Sequence, residues 1–344
     1  MSHIIFVPSM ALDALCFLQN HTMPDRAYMS ASCVAIMEEM IVRLPADFPD
    51  YPISMSSLSM IVGLYTRNQG LETMTLDELA DLFEQSALYD TVEARLRNGF
   101  QRSHMIPLLN YLRSEWGIKT AALLRTLRDC GFEALYREKV LPPVQNYAAL
   151  CQRLTDQHNP DLLFSLIERV KPCKLGDNIR IFVSLFSEPI CFSLSESAYL
   201  THLTREDYIA AHSDCYLRLS AHELMHGFAD DGLISRYRAY VDCDPFLREN
   251  HRKLLEEMQE GDEEEFVLAL EYALRERAGL ASRQELLREV KKAYSGICPT
   301  AAFLYDLLSR EQALPAPCTP FLYRVFDEGL LPTTDIEQKF HALS

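Results

Sequence analysis

His222-Glu223-Leu224-Met225-His226, inside the longer run Ser213–Asp230, is the stretch on which the reading of this chain turns. No proline interrupts that run and no glycine precedes Gly227, so a helix is expected, opening at Ser213 or at the pair Thr204 and Asp207. Leu217, Ala221, Leu224 and Phe228 recur at helical spacing and form its apolar stripe. At about 100° per residue, His222 and His226 fall well off the centre of that stripe, and Glu223 lies further round. An inert core pair would sit within the stripe instead. Two imidazoles one turn apart on one face can grip a single divalent ion, and the ligand type suits Zn²⁺. The carboxylate beside the first imidazole can act as a general base toward water there.

A catalytic zinc site needs three protein ligands. A third histidine closely downstream would require glycine at position 229 and histidine at 232, but the chain has Ala229 and Gly232. A Gly-Thr-x-Asp segment is also missing, and Asp242 and Asp244 sit in a turn-like stretch ahead of Pro245. A glutamate from a second helix remains. Gly261 and Asp262 can open such a helix, with acids in its first turn and Phe266, Val267, Leu270, Ala273 and Leu274 as its buried face. Glu264 and Glu271 are two turns apart on one edge of that face. Glu265 is expected to point toward solvent, and Glu263 to stand at a frayed end. Glu264 is therefore the expected third ligand, with Glu271 and then Glu265 as alternates. Glu271 also has Arg275 one turn on as a natural partner.

His222-Glu223-x-x-His226, followed some forty residues later by Glu264-x-Phe266-x-x-Ala269, resembles the zincin metallopeptidases of the gluzincin type. The resemblance covers roughly residues 178 to 275. It implies Zn²⁺ as cofactor, a peptide or protein as substrate, and a backing helix that carries the ligand glutamate. It also implies a small sheet ahead of the motif helix. Ile179 to Phe186 and Ile190 to Leu194, split by Ser187-Glu188-Pro189, are two β-rich runs that would make a hairpin there. Many gluzincins carry an acid four residues after the ligand glutamate. Leu268 occupies that place here, so a partner for the histidines has to come from elsewhere.

The rest of the chain reads as mainly α, in an α+β arrangement, because only 12 glycines and few turn clusters leave little room for an all-β fold. His3 to Val7 suggests a short strand. Helices are expected from Pro24 to Ile41, Ile106 to Trp116, Thr120 to Val140, Val144 to Thr155 and Pro160 to about Val170. Thr75-Leu76-Asp77-Glu78 and Ser282-Arg283-Gln284-Glu285 are capping boxes, the second opening a helix to Ser295. Further helices are expected from Thr300 to Leu314 and from Phe321 to Glu328. Pro172 and Gly176 break the helical pattern. The expected division is a helical segment, 1–171, and a zincin-like one, 172–344.

A net charge of −16 with no basic patch argues against nucleic acid and against an anionic membrane as partner. The ten cysteines form no Cys-x-x-Cys pair, and several sit in apolar helical patterns as small core residues. No apolar run is long enough to span a bilayer, the first residues lack a basic leader, and a reducing cytoplasm is the expected compartment. The expected activity is zinc-dependent peptide hydrolysis with Glu223 as general base. The competing readings are a helical interaction or scaffold protein with an accidental or inactive metal site, and a zinc hydrolase of a non-peptide amide. Tyr237, Tyr240, His212, His251 and Arg236 are candidate hydrogen-bond donors to a reacting oxygen, and the sequence selects none of them.

Overall fold

The computed structural model describes residues 3–22, 29–51, 57–98, 105–158, 160–171, 175, 178–188, 191–195, 197–203, 206–258 and 260–343. The fold is mainly helical, with one four-stranded sheet. It divides into two compact units, one built from residues 1–158 and 176–216 and the other from residues 159–175 and 217–344. This differs from a single cut near Lys171, because strand pairing ties the stretch after 176 to the N-terminus. The helix Pro160–Val170 instead packs on Glu264–Arg277, and the Val170 carbonyl accepts from the Cys318 amide.

In the first unit, β1 (His3–Pro8) pairs in parallel with β2 (Asn178–Ser184). The other edge of β2 pairs in parallel with β4 (Ala198–His202), and β3 (Phe192–Ser195) closes the order β1-β2-β4-β3 by running antiparallel to β4. The expected hairpin between Ile179–Phe186 and Ile190–Leu194 is therefore replaced. β4 lies between its two arms, and the hairpin is β3 with β4. Residues 198–201 are all buried, the environment of a central strand covered on both faces. That short run does not alternate, and so gives no period-two signal.

The helix Met10–Asn20 is buried on every side from Ala11 onward. It packs against β2 and against the helices Ser57–Thr66 and Leu76–Glu84. Its Asp13 accepts from the Ser184 hydroxyl at 2.6 Å and from the Leu185 and Phe186 amides at 2.8 and 3.3 Å, satisfying the turn where β2 ends. Both expected capping boxes form, at Thr75 and at Ser282. The helix expected over Thr120–Val140 breaks instead at Gly131, whose φ of 84° ends Gly117–Asp129 and lets a new helix begin at Phe132. The helix expected from Pro24 begins at Ala31 among the described residues, and the start at Pro24 lies outside them.

In the second unit, Glu264–Arg277 is the central helix and packs against Pro160–Val170, Arg283–Val290 and Pro299–Arg310. Every residue from Glu264 to Arg275 is buried. Cys16, Cys151, Cys298 and Cys318 are buried thiols, as their apolar contexts predict. Among the described residues no helix is long and apolar enough to cross a membrane.

Complete burial raises the Asp13 carboxyl to about 7, against the hydrogen bonds that favour its ionised form. Below about pH 4 the group is protonated in both the folded and unfolded chain. Between about 4 and 7 only the unfolded chain loses the proton, so this group's contribution falls with rising pH by up to about 4 kcal/mol. Asp13→Asn removes that slope. Relative to wild type, the variant is expected to gain stability between pH 4.5 and 7.5 in urea titrations, and parallel profiles would refute the assignment.

Candidate metal centre

The motif helix spans Cys215–Glu223 and stops one turn earlier than its apolar stripe suggests. Gly227, at φ 81°, takes the left-handed position that turns the chain away. Ahead of it the last turn tightens, with the Met225 amide donating to the His222 carbonyl at 2.9 Å. Carbonyls left without helical partners are met by Lys171, whose buried ammonium donates to Leu224 O at 3.0 Å and to His226 O at 2.5 Å. The two imidazoles still converge, with their Nε2 atoms 3.3 Å apart.

The backing helix brings Glu264 to both rings. Its Oε1 lies 3.5 Å from His222 Nε2, and its Oε2 lies 3.8 Å from His226 Nε2. One ligand atom from each of the three residues can be chosen so that all lie within 4.8 Å of one another. Atoms about 2.0–2.1 Å from a tetrahedral zinc ion stand about 3.3–3.5 Å apart, and the two Nε2 atoms already stand at that spacing. Glu264 is buried, with 1% of its side chain exposed, where an unpartnered carboxylate would be costly.

Each imidazole has a second carboxylate behind it. Glu271 Oε2 is 3.1 Å from His222 Nδ1, and Glu263 Oε1 is 3.1 Å from His226 Nδ1. Those contacts favour a proton on Nδ1 of each ring and turn each Nε2 toward Glu264. Glu271 is itself held by Arg275 at 3.0 Å, and Glu263 also accepts from the Gly227 amide at 2.9 Å. Burial opposes charge on His222, but Glu264, Glu271 and Glu223 outweigh it and raise its pKa. Burial raises Glu264, while Glu271, despite its burial, is held low by His222 and Arg275. Glu223 is also buried, and its charge is felt by both His222 and Glu264.

The other acidic candidates have different roles. Glu271 lies behind His222, as the partner that Leu268 could not be. Glu265 does not reach solvent, since only 2% of it is exposed. It accepts from the Tyr237 hydroxyl at 2.8 Å and from the Ala301 amide at 2.9 Å. It thereby caps the helix Pro299–Arg310, whose own N-cap residue makes no side-chain bond. Glu263 is no frayed end but a partner of His226, which its position at the start of the acidic run concealed. Tyr294 was not foreseen, and its hydroxyl lies 3.0 Å from Glu264 Oε1. The earlier donor candidates are occupied elsewhere. Tyr237 bonds Glu265, Tyr240 bonds the Pro332 carbonyl, Arg236 pairs with Asp327, and His251 contacts Asp262. His212 belongs to the other unit.

Comparison of the chain with protein-family models, with curated proteins and with solved structures finds no match.

The two neighbouring glutamates are expected to separate on substitution. Glu264→Gln should weaken zinc binding by at least about tenfold, whereas Glu265→Gln should leave it unchanged and cost about 1–3 kcal/mol of stability by spoiling a buried acceptor. Chelator competition and urea titration measure the two quantities. Loss of zinc from the Glu265 variant without unfolding would reverse the assignment.

Proposed function

We propose that this chain is a zinc-dependent hydrolase of the gluzincin kind, cleaving peptide bonds. The observation that carries the reading is the convergence of His222, His226 and Glu264, with ligand atoms within 4.8 Å of one another and a carboxylate behind each imidazole. His222 Nε2, His226 Nε2 and a Glu264 oxygen would hold the ion. When bound, zinc supplies a Lewis acid that brings the pKa of a coordinated water toward neutrality and polarises a carbonyl.

The chain's own residues do the rest. Glu223, next to His222 on the motif helix, takes a proton from water and returns it to the departing amine. Glu271 and Glu263 keep the protons of both rings on Nδ1, so each Nε2 remains a donor to the ion. Arg275 fixes Glu271 from behind and offsets its charge. The choice of a peptide over another amide follows from the resemblance of the two motifs to gluzincins.

Purified protein is expected to contain about one zinc per chain, lost in His222→Ala. Glu223→Gln should keep the metal and reduce peptide hydrolysis by at least about 100-fold, within the range for a general base. Metal analysis together with a peptide-library assay checks both. Wild-type turnover in Glu223→Gln would end the proposed mechanism, and a chain that takes up no zinc would end the proposed site.

A further inference from the structure

Tyr294, Ser295 and Gly296 form an unusual run of three consecutive residues with positive φ, at 47°, 60° and 88°. Glycine adopts such angles freely, but a bulky aromatic residue does so at a cost that surrounding structure has to offset. The turn lies just past the helix Arg283–Val290 and packs against it. Its result is to deliver a phenol to the metal centre. The Tyr294 hydroxyl lies 3.0 Å from Glu264 Oε1 and 3.0 Å from Glu260 Oε1. A phenol has one proton, so it donates to one of these carboxylates at a time.

This completes a pattern. Glu271 backs His222 and Glu263 backs His226. Glu264 is the remaining ligand candidate, and Tyr294 stands to it as those acids stand to the rings. From this, and resting on the zinc reading above, we infer that Tyr294 is a positioning residue: its hydroxyl orients the Glu264 carboxylate for the ion, and the left-handed turn exists to put it there. With Oε1 held by the phenol, rotation of the carboxylate away from the imidazoles would break a hydrogen bond within a buried site.

Two substitutions divide the hydroxyl from the turn. Tyr294→Phe keeps the ring and the backbone and removes only the donor. Ser295→Gly keeps the donor and relaxes the backbone at a left-handed position. Zinc affinity is read by chelator competition on the purified full chain. Coordination geometry is read from the visible absorption of the cobalt(II)-substituted protein, and folding from the melting temperature of the metal-free protein. Tyr294→Phe is expected to weaken zinc binding by about 10–100-fold and to alter the cobalt spectrum, with the metal-free melting temperature close to wild type. Ser295→Gly is expected to raise that temperature with zinc affinity unchanged. Wild-type affinity and spectrum in Tyr294→Phe would overturn the inference. So would an affinity loss accompanied by a matching loss of folding. If wild type binds zinc through His222 while Tyr294→Phe is indistinguishable from it, only the role of Tyr294 falls. If wild type binds none, the zinc reading and this inference fall together.

Discussion

A helix buried from Glu264 to Arg275 that carries three buried glutamates sets the terms for the second unit. Glu264, Glu265 and Glu271 all lie on Glu264–Arg277 with little or no exposure. Burying an ionised carboxylate without partners is far more costly than a small domain's whole stability can absorb. Each of the three must therefore be met, and each is met differently. Glu265 receives a phenol and a backbone amide, Glu271 a guanidinium and an imidazole, and Glu264 two imidazoles and a phenol. The elements around this helix are arranged to supply those partners. Tyr237 comes from Asp231–Asp242, Ala301 from the first turn of Pro299–Arg310, and the imidazoles from the end of the motif helix.

The motif helix is fixed as firmly at its end as the backing helix is along its length. Its early stop at Glu223 would leave carbonyls without partners, and Lys171 covers two of them. Gly227 then does two things at once. Its left-handed backbone turns the chain, and its amide donates to the same Glu263 that backs His226. Stopping the helix and orienting the second imidazole are thus one structural event, which is why the histidine spacing survives although the helix does not continue through it.

The convergence of His222, His226 and Glu264 was legible in the sequence, and its surroundings were less so. His222 and His226 were readable because their i, i+4 spacing alone fixes a shared face, with Glu223 beside the first of them. Helical phasing also singled out Glu264 and Glu271 as neighbours on one edge, and both do turn toward the imidazoles. Phasing failed at Glu265 for a definite reason. Periodicity tells which way a side chain points on its own helix, but not whether another helix covers that side, and Pro299–Arg310 covers it. Tyr294 was invisible because no pattern announces an aromatic residue in a left-handed turn. The sheet failed through distance in sequence. β1 and β2 pair across more than 160 residues, and the central strand β4 is too short and too uniformly buried to alternate.

Charge argues for a dication at this centre. Glu223, Glu260, Glu263, Glu264 and Glu271 surround the two imidazoles or lie one contact away, and Arg275 is bonded into the group through Glu271. Without a metal, protons held by His222 and Glu264, whose pKa values are both raised, answer part of that charge. A divalent ion would take the place of those protons on the proposed ligand atoms, with no need for either ring to give up the Nδ1 proton that its backing glutamate holds. The donor set of two imidazoles and one carboxylate, with ligand atoms within 4.8 Å of one another, is of the kind that zinc takes.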